Sequence, residues 1–170
     1  MVTFNLAYTA PINPSGVSPV LTAPQIWAGL QRKVRRAQDF VPIIEECNVL
    51  SEETSQETGN LTVVREVRFV AGQEPNSGSG GSLVKETCIH YPPCRVDFEQ
   101  PDGSNISNIV SEGPDGELLM TYAFEWEHPG VKEGSEEAKK LEERNRKTAR
   151  IAVHGTIDTI RRLVKDGELH

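Results

Sequence analysis

Residues 91–130 read YPPCRVDFEQPDGSNISNIVSEGPDGELLMTYAFEWEHPG, and this stretch decides the fold. The tripeptide Pro-Asp-Gly occurs in it at 101–103 and again at 114–116. Proline presets φ for a turn and glycine accepts a positive φ, so each tripeptide predicts a tight turn between hydrophobic runs. The runs beside these turns have strand character, at 94–100, 104–112 and 117–127. This part of the chain therefore predicts an antiparallel meander.

Strands and one helix are predicted before the meander. Alternating apolar residues at 2–9, 61–70 and 83–91 predict three more strands. Thr22 and Gln25 fit a capping box at the start of a helix. The apolar stripe of that helix contains Ile26, Trp27, Leu30, Val34 and Ala37. Its other face carries Arg32, Lys33, Arg35 and Arg36, which predict either a solvated face or a docking patch.

A long helix is predicted after the meander. Ser135 fits its N-cap, and Gly167 lies just past its end. Residues 43–47 are interpreted as a short second helix near the start of the chain. The order of elements predicts an α+β domain in which the last helix lies across the sheet, and length and composition indicate one domain over residues 1–170.

Composition limits the classes of partner. The chain has a formal net charge of −7 and a pI near 5.2, which argues against a nucleic-acid or anionic-membrane partner. The three cysteines have no metal-ligand or disulfide spacing, and no apolar run reaches the length of a membrane span. We therefore expect a cytoplasmic protein without metal or cofactor, as a monomer or homodimer, with a small hydrophobic or aromatic molecule as its partner.

The inner face of the sheet is predicted from the three tight turns, because residues opposite each other share a face. Two-residue turns at 92–93, 101–102 and 114–115 give a consistent, mostly apolar set. A one-residue slip in any turn would break this assignment. The predicted inner face contains Thr87, Ile89, Tyr91, Val96, Phe98, Ser107, Ile109, Leu118, Met120, Tyr122, Phe124 and Trp126.

Arg65 lies in the middle of the apolar phase of the strand at 61–70. A buried arginine is costly unless it is paired, so it has a carboxylate partner, a bound anion or access to water in a cavity. Two readings remain open, a structural ion pair with Glu45 or Glu46, and ligand binding. Residues 72–82, GQEPNSGSGGS, predict a mobile segment that is either a plain hairpin loop or a lid.

The chain resembles the helix-grip fold of the START and polyketide cyclase (SRPBCC) superfamily, and more closely its AtaL-like branch, which has members in fungal secondary-metabolite clusters. The resemblance implies a seven-stranded antiparallel sheet wrapped around a long C-terminal helix, two short helices after the first strand, and a hydrophobic cavity. The superfamily includes lipid carriers, hormone receptors and cofactor-free cyclases. The segments that support the resemblance are LTAPQIWAGLQRK at 21–33, FVP at 40–42, VREVRF at 64–69, YPPCRVDFEQPDGS at 91–104 and EGPDGELLMTYAFEWEHPG at 112–130.

An apolar cavity with a few donors suits a planar, polyketide-like molecule. Arg65 and Tyr122 are the candidate catalytic residues, because a cation and a hydroxyl can stabilise an enolate. The leading hypothesis is a cofactor-free cyclase or isomerase of secondary metabolism, and the alternative is a non-catalytic carrier or sensor of a lipid or hydrophobic metabolite. The candidate ligand-binding residues are Trp27, Arg65, Thr87, Tyr91, Phe98, Ser107, Met120, Tyr122, Phe124, Trp126, Asn145, Ala149 and Ala152.

Overall fold

A computed structural model describes residues 1–71 and 83–170. The predicted mobile segment at 72–82 lies outside the described residues. The strands form one antiparallel sheet in the order β1-β7-β6-β5-β4-β3-β2. Their bounds are β1 Val2–Pro11, β2 Ile44–Thr54, β3 Leu61–Phe69, β4 Leu83–Tyr91, β5 Arg95–Glu99, β6 Asn105–Glu112 and β7 Leu118–His128.

Two α-helices pack on one face of this sheet. Helix α1, Ala23–Arg35, begins with the predicted capping box, in which the Gln25 amide donates to Thr22 Oγ1 and the Thr22 amide donates to Gln25 Oε1. Helix α2, Glu136–Lys165, has the predicted N-cap at Ser135. The α+β helix-grip architecture predicted from the sequence is therefore confirmed. No helix in the described ranges is long and apolar enough to cross a membrane.

The segment after α1 differs from the prediction. The second helix is a single 3-10 turn at Ala37–Asp39, and four of the residues at 43–47, which we interpreted as helix, form the first part of β2. Most of β2 after Ile44 is half-buried or exposed, because it forms an edge of the sheet. An edge strand with several acidic residues lacks the alternating apolar pattern from which a strand is recognised.

The predicted register is wrong by one residue at all three tight turns of the meander. Tyr91 lies opposite Arg95, Glu99 opposite Asn105, and Glu112 opposite Leu118. In both Pro-Asp-Gly turns the glycine adopts a positive φ, 92° at Gly103 and 78° at Gly116. A glycine in this conformation adds a third residue to the loop, which changes the pairing from the predicted two-residue turn.

The slip reverses the faces of β4 and β6 and leaves those of β5 and β7 as predicted. Thr87, Ile89, Tyr91, Ser107 and Ile109 therefore lie on the face away from the helices, contrary to the prediction. The inner face instead receives several polar residues from β4 and β6. These are Glu86, Cys88, His90 and Asn108, each of them buried.

Helices α1 and α2 meet closely at Gly29. A Cβ atom at this position would lie 2.5 Å from Ile160 Cγ1, and Ile160 is fully buried. A Cβ atom added at Gly155, inside α2, would meet no neighbouring atom within 4 Å, so close packing does not explain that glycine.

This difference gives a matched pair of substitutions. Gly29→Ala is expected to lower the free energy of unfolding by about 1–3 kcal/mol, because the added methyl group overpacks against Ile160. Gly155→Ala is expected to raise it by about 1 kcal/mol, since alanine is the better helix former and nothing obstructs its methyl group. Urea denaturation of both variants is the measurement, and equal effects at the two positions would contradict the close contact.

Candidate functional site

Lys33 lies inside the protein, although Arg32 and Arg35, the other basic residues of α1, are half-buried. Its side chain is buried, with the residue 8% exposed. The Nζ atom donates to Asn108 Oδ1 and to the Tyr122 hydroxyl oxygen, both at 2.9 Å. It also lies 4.5 Å from the centre of the Tyr122 ring and 5.4 Å from that of Phe98. Its immediate partners are therefore neutral polar groups and aromatic rings.

Burial, together with a smaller contribution from the nearby Arg65 cation, lowers the pKa of Lys33 from 10.5 to about 7. The Glu86 carboxylate and the Cys88 sulfur act in the opposite direction. A substantial fraction of the amine is therefore neutral near pH 7. A neutral buried amine has both a lone pair and the ability to accept a proton.

Tyr122 connects the amine to helix α2. Its hydroxyl accepts from Lys33 and donates to Thr156 Oγ1 at 2.6 Å. Burial raises the pKa of the Tyr122 phenol well above its ordinary value. Tyr122 is therefore a neutral hydroxyl at physiological pH and acts as a hydrogen-bond donor and acceptor.

Arg65 forms a buried ion pair with Glu86. Arg65 Nη2 lies 2.6 Å from Glu86 Oε2, and the Nε atom donates to the same oxygen at 2.8 Å. The Nη1 atom donates to the carbonyl oxygens of Lys33 and Val34, each at 2.9 Å, at the end of α1. Arg65 thus has the carboxylate partner expected of a buried arginine, but the partner is Glu86 and not Glu45 or Glu46.

An aromatic row runs along β7, which we define as Tyr122, Phe124 and Trp126. The rings of Phe124 and Trp126 are stacked with centres 4.2 Å apart, and those of Tyr122 and Phe124 are 6.0 Å apart. These residues occupy successive positions on the inner face of the strand. The row ends at the Lys33 amine.

Helix α2 covers this row. Its first turns lie at the Trp126 end, because Ala138 borders the same surface groove as Phe4, which pairs with Trp126. Asn145 precedes Thr156 by 11 residues, which is about three turns on the same helix face and about 16 Å. Asn145 is therefore on the side of α2 that faces the row, and it is buried.

Three buried polar atoms on the interior surface have no hydrogen-bond partner within the ranges that the structure describes. They are Asn108 Nδ2, Asn145 Nδ2 and His90 Nε2. Burying such a group without a partner is costly, and native proteins hold few of them. Asn108 is notable because its Oδ1 atom holds the Lys33 amine while its Nδ2 donor is unused.

A second feature lies at the other end of α1. Trp27 borders an apolar pocket of about 420 Å³ together with Val110 and Leu118. The Trp27 ring contacts His90 edge-on, with ring centres 6.1 Å apart. Burial lowers the pKa of His90, whose Nδ1 atom lies 3.1 Å from the Leu61 carbonyl oxygen.

Residues 6–167 match the family described as "Acetylaranotin biosynthesis cluster protein L" (AtaL). The chain belongs to the AtaL family. The protein of that name from Aspergillus terreus (strain NIH 2624 / FGSC A1156) is 28% identical over 167 residues, which cover 98% of this chain and 94% of the relative. AtaL-family membership confirms the resemblance inferred from the sequence.

Solved structures with the same fold include two aromatase/cyclases. The Zhui aromatase/cyclase from Streptomyces sp. R1128 aligns with a TM-score of 0.59 at 14% identity, over 96% of each chain. The di-domain aromatase/cyclase StfQ of the steffimycin biosynthetic pathway aligns with a TM-score of 0.63 at 8% identity, over 97% of this chain and 51% of StfQ. At these identities the likeness establishes the fold alone.

The AtaL-family structure brings part of the predicted ligand-binding set together. Phe98, Met120, Tyr122, Phe124, Trp126, Asn145 and Ala149 are buried between sheet and helix, with Ala152 partly buried beside them. Trp27 lies at the separate apolar pocket. The roles of all these residues stay predictions, as does an enclosed cavity between helix and sheet.

Three predicted ligand-binding residues lie elsewhere, because the register slip turned β4 and β6 over. Thr87 lies opposite Val64, and Ser107 lies opposite Asp97. The ring of Tyr91 lies 4.0 Å from the Arg95 guanidinium carbon. All three are on the face away from the helices, so the reason for assigning them to the site no longer holds.

Sequence reasoning missed Lys33, which was assigned to the basic face of α1. A signal was present, since Lys33 follows Leu30 by three residues and Ile26 by seven, which is the spacing of the buried stripe. His90 and Asn108 were missed because of the register slip. Among the residues that the structure describes, no group of three histidine, cysteine or acidic side chains is arranged to hold a metal ion.

Proposed function

We propose that this AtaL-family protein binds a planar, polyketide-like metabolite along the aromatic row and promotes its cyclisation or isomerisation without a cofactor. The proposal rests chiefly on the buried Lys33 amine, because it is a titratable group at the inner end of an aromatic surface. The relative named for a biosynthesis cluster and the polyketide aromatase/cyclases of like fold support the substrate class.

The chemistry follows from the contacts of the amine. In its neutral form Lys33 accepts a proton from the carbon next to a ketone, which is the step that starts enolisation, aldol closure and double-bond migration. The resulting ammonium, which the Tyr122 hydroxyl holds in place as an acceptor, then lies beside the developing enolate oxygen. Because this ammonium is buried, its interaction with that oxygen is stronger than in water.

A non-catalytic carrier or sensor is the second candidate. The chain of hydrogen bonds from Lys33 through Tyr122 to Thr156 satisfies all three groups, as a purely structural network also would. The apolar pocket beside Trp27 gives such a carrier a surface for a hydrophobic ligand. The two candidates differ in whether Lys33 moves a proton.

Ligand position is tested with the two tryptophans, Trp27 and Trp126. In Trp27→Phe, Trp126 is the remaining tryptophan, and anilinonaphthalene sulfonate bound along the aromatic row is expected to quench its fluorescence by energy transfer. We expect about one binding site per chain and micromolar affinity, which is a binding free energy of about −8 kcal/mol. The matched variant Trp126→Phe reports a ligand near Trp27. Quenching restricted to Trp27 would move the site to the pocket beside it.

Catalysis is tested by following deuterium exchange next to the carbonyl of 2-tetralone, a bicyclic aromatic ketone, by NMR. We expect the wild type to accelerate the exchange, and Lys33→Met to lose that acceleration by about 10²-fold or more, as for the loss of a general base. Lys147→Met, at an exposed position on α2, is the matched control. Binding of the ketone with no accelerated exchange would favour the carrier.

A further inference from the structure

The surroundings of Lys33 suit a nucleophile as well as a base. Among the described residues, no carboxylate lies within 4.0 Å of its Nζ atom, because the nearby Glu86 is already paired with Arg65 and accepts from Gln100. The Arg65 guanidinium and the amine contact the same Phe98 ring, at 5.1 and 5.4 Å from its centre. A lysine that is desolvated beside a second cation is the arrangement that activates an amine for attack on carbonyl carbon.

A carbonyl oxygen also has an unused donor at this position. Asn108 holds the amine through Oδ1, and its buried Nδ2 atom has no partner among the described residues. The Tyr122 hydroxyl, 2.9 Å from the amine nitrogen, accepts from the amine and already donates its own proton to Thr156. An oxygen on a carbon bonded to Lys33 Nζ would therefore lie within reach of Asn108 Nδ2. The unused Asn108 donor is observed independently of whether the amine is charged.

We infer that Lys33 captures a ketone or aldehyde group of the ligand as a covalent imine. The inference rests on the proposed function and identifies the ligand as a carbonyl compound. It also assigns to the Asn108 Nδ2 group the binding of the carbonyl oxygen. The aromatic row then holds the flat remainder of the molecule, since its stacked rings lead away from the amine.

The step balances without any oxidant or reductant. The Lys33 lone pair forms a C–N bond as the carbonyl π electrons move to oxygen, which takes a proton to give a carbinolamine. Loss of the second amine proton and of the hydroxyl group as water gives the imine. Transfer of a proton from the neighbouring carbon to the imine nitrogen gives an enamine, which is a carbon nucleophile for ring closure. Ring closure leaves an iminium, and addition of water to its carbon releases the carbonyl product and the free amine.

The test is reductive trapping with the same ketone, 2-tetralone. The wild-type protein is incubated with it near neutral pH, reduced with sodium cyanoborohydride, digested and mapped by mass spectrometry. The reduced adduct is expected on Lys33 in at least about tenfold excess over any other lysine, because an ordinary lysine near pH 7 is neutral less than about 0.1% of the time. Lys147→Met should label as the wild type does, and Lys33→Met should not.

A further variant allows the proposal to be tested if Lys33→Met folds poorly. Asn108→Leu retains the amine, and we expect it to slow adduct formation about tenfold or more, as for the loss of one donor to a developing oxyanion. If 2-tetralone binds and exchanges deuterium but leaves Lys33 unlabelled, the imine is overturned and the proposed function stands. If it neither binds nor exchanges, both fail. Labelling spread over exposed lysines also overturns the imine.

Discussion

Lys33→Met is expected to raise the free energy of unfolding near pH 6 and to remove most of the pH dependence of stability between about pH 7 and 10. The pKa of Lys33 is about 7 in the folded protein and 10.5 in its ordinary state. Below pH 7 the folded protein must hold a buried ammonium, which costs up to about 5 kcal/mol for a shift of this size. Methionine has a similar reach and no charge.

The sign follows from proton binding. Between pH 7 and 10.5 the unfolded chain binds a proton at Lys33 that the folded protein does not, so stability rises with pH across this window. The charged or ionisable groups that face the amine are Arg65 on β3, Glu86 and Cys88 on β4 and Tyr122 on β7. Burial raises the pKa of Cys88 to about 12, which lowers stability at the upper end of the range in all variants.

The measurement is therefore the difference between variants, from urea denaturation at several pH values. Lys147→Met controls for the loss of an exposed lysine and is expected to follow the wild type. Parallel curves for Lys33→Met and wild type would mean that the Lys33 amine is not desolvated. That result would also remove its role as a base near neutral pH.

Arg65→Met is expected to lower the free energy of unfolding by about 3–5 kcal/mol. The change leaves the buried Glu86 carboxylate without its cation and removes two donors to carbonyl oxygens at the end of α1. For a domain of this size the loss corresponds to roughly 10 °C in melting temperature. It should also raise the pKa of Lys33, since the Arg65 cation lowers it.

Two controls isolate the ion pair. Arg68→Met removes the other arginine of β3, whose ion pair with Glu46 is exposed, and is expected to cost less than about 1 kcal/mol. The double variant Arg65→Met, Glu86→Met replaces both charges with apolar groups and should recover much of the lost stability. A stable Arg65→Met protein that has lost ligand binding would instead support the predicted catalytic role of Arg65.

Local sequence signals were sufficient for most elements of the fold. The Thr22 capping box, the Ser135 N-cap and the Pro-Asp-Gly turns each determine the backbone through residues only a few positions apart. The family resemblance added the prediction that the strands form one seven-stranded sheet. Strand β2 was missed because an exposed acidic edge strand has no buried face to impose an alternating pattern.

The assignment of side chains to the two faces of the sheet depended on the lengths of the tight turns, and the sequence was compatible with loops of two or three residues. A proline-containing turn with glycine at its third position is compatible with two-residue and three-residue loops, and only the positive φ of Gly103 and Gly116 selects the longer one. Because side chains alternate, the extra loop residue exchanged Ser107 for Asn108 on the inner face, and a three-residue loop at 92–94, which contains no glycine, likewise exchanged Thr87 for His90.

Apart from β2, the sequence by itself determined approximately where the strands and the two long helices begin and end, since caps, turns and periodicity act within a few residues. Only the tertiary structure decided which side chains meet. Lys33 lies at the border of the apolar stripe of α1, and its burial follows from Asn108 on β6 and Tyr122 on β7, 75 and 89 residues away. Arg65 on β3 likewise forms its ion pair with Glu86 on the neighbouring strand β4. A buried charge depends on partners that are distant in the chain, so its environment is a property of the packed fold.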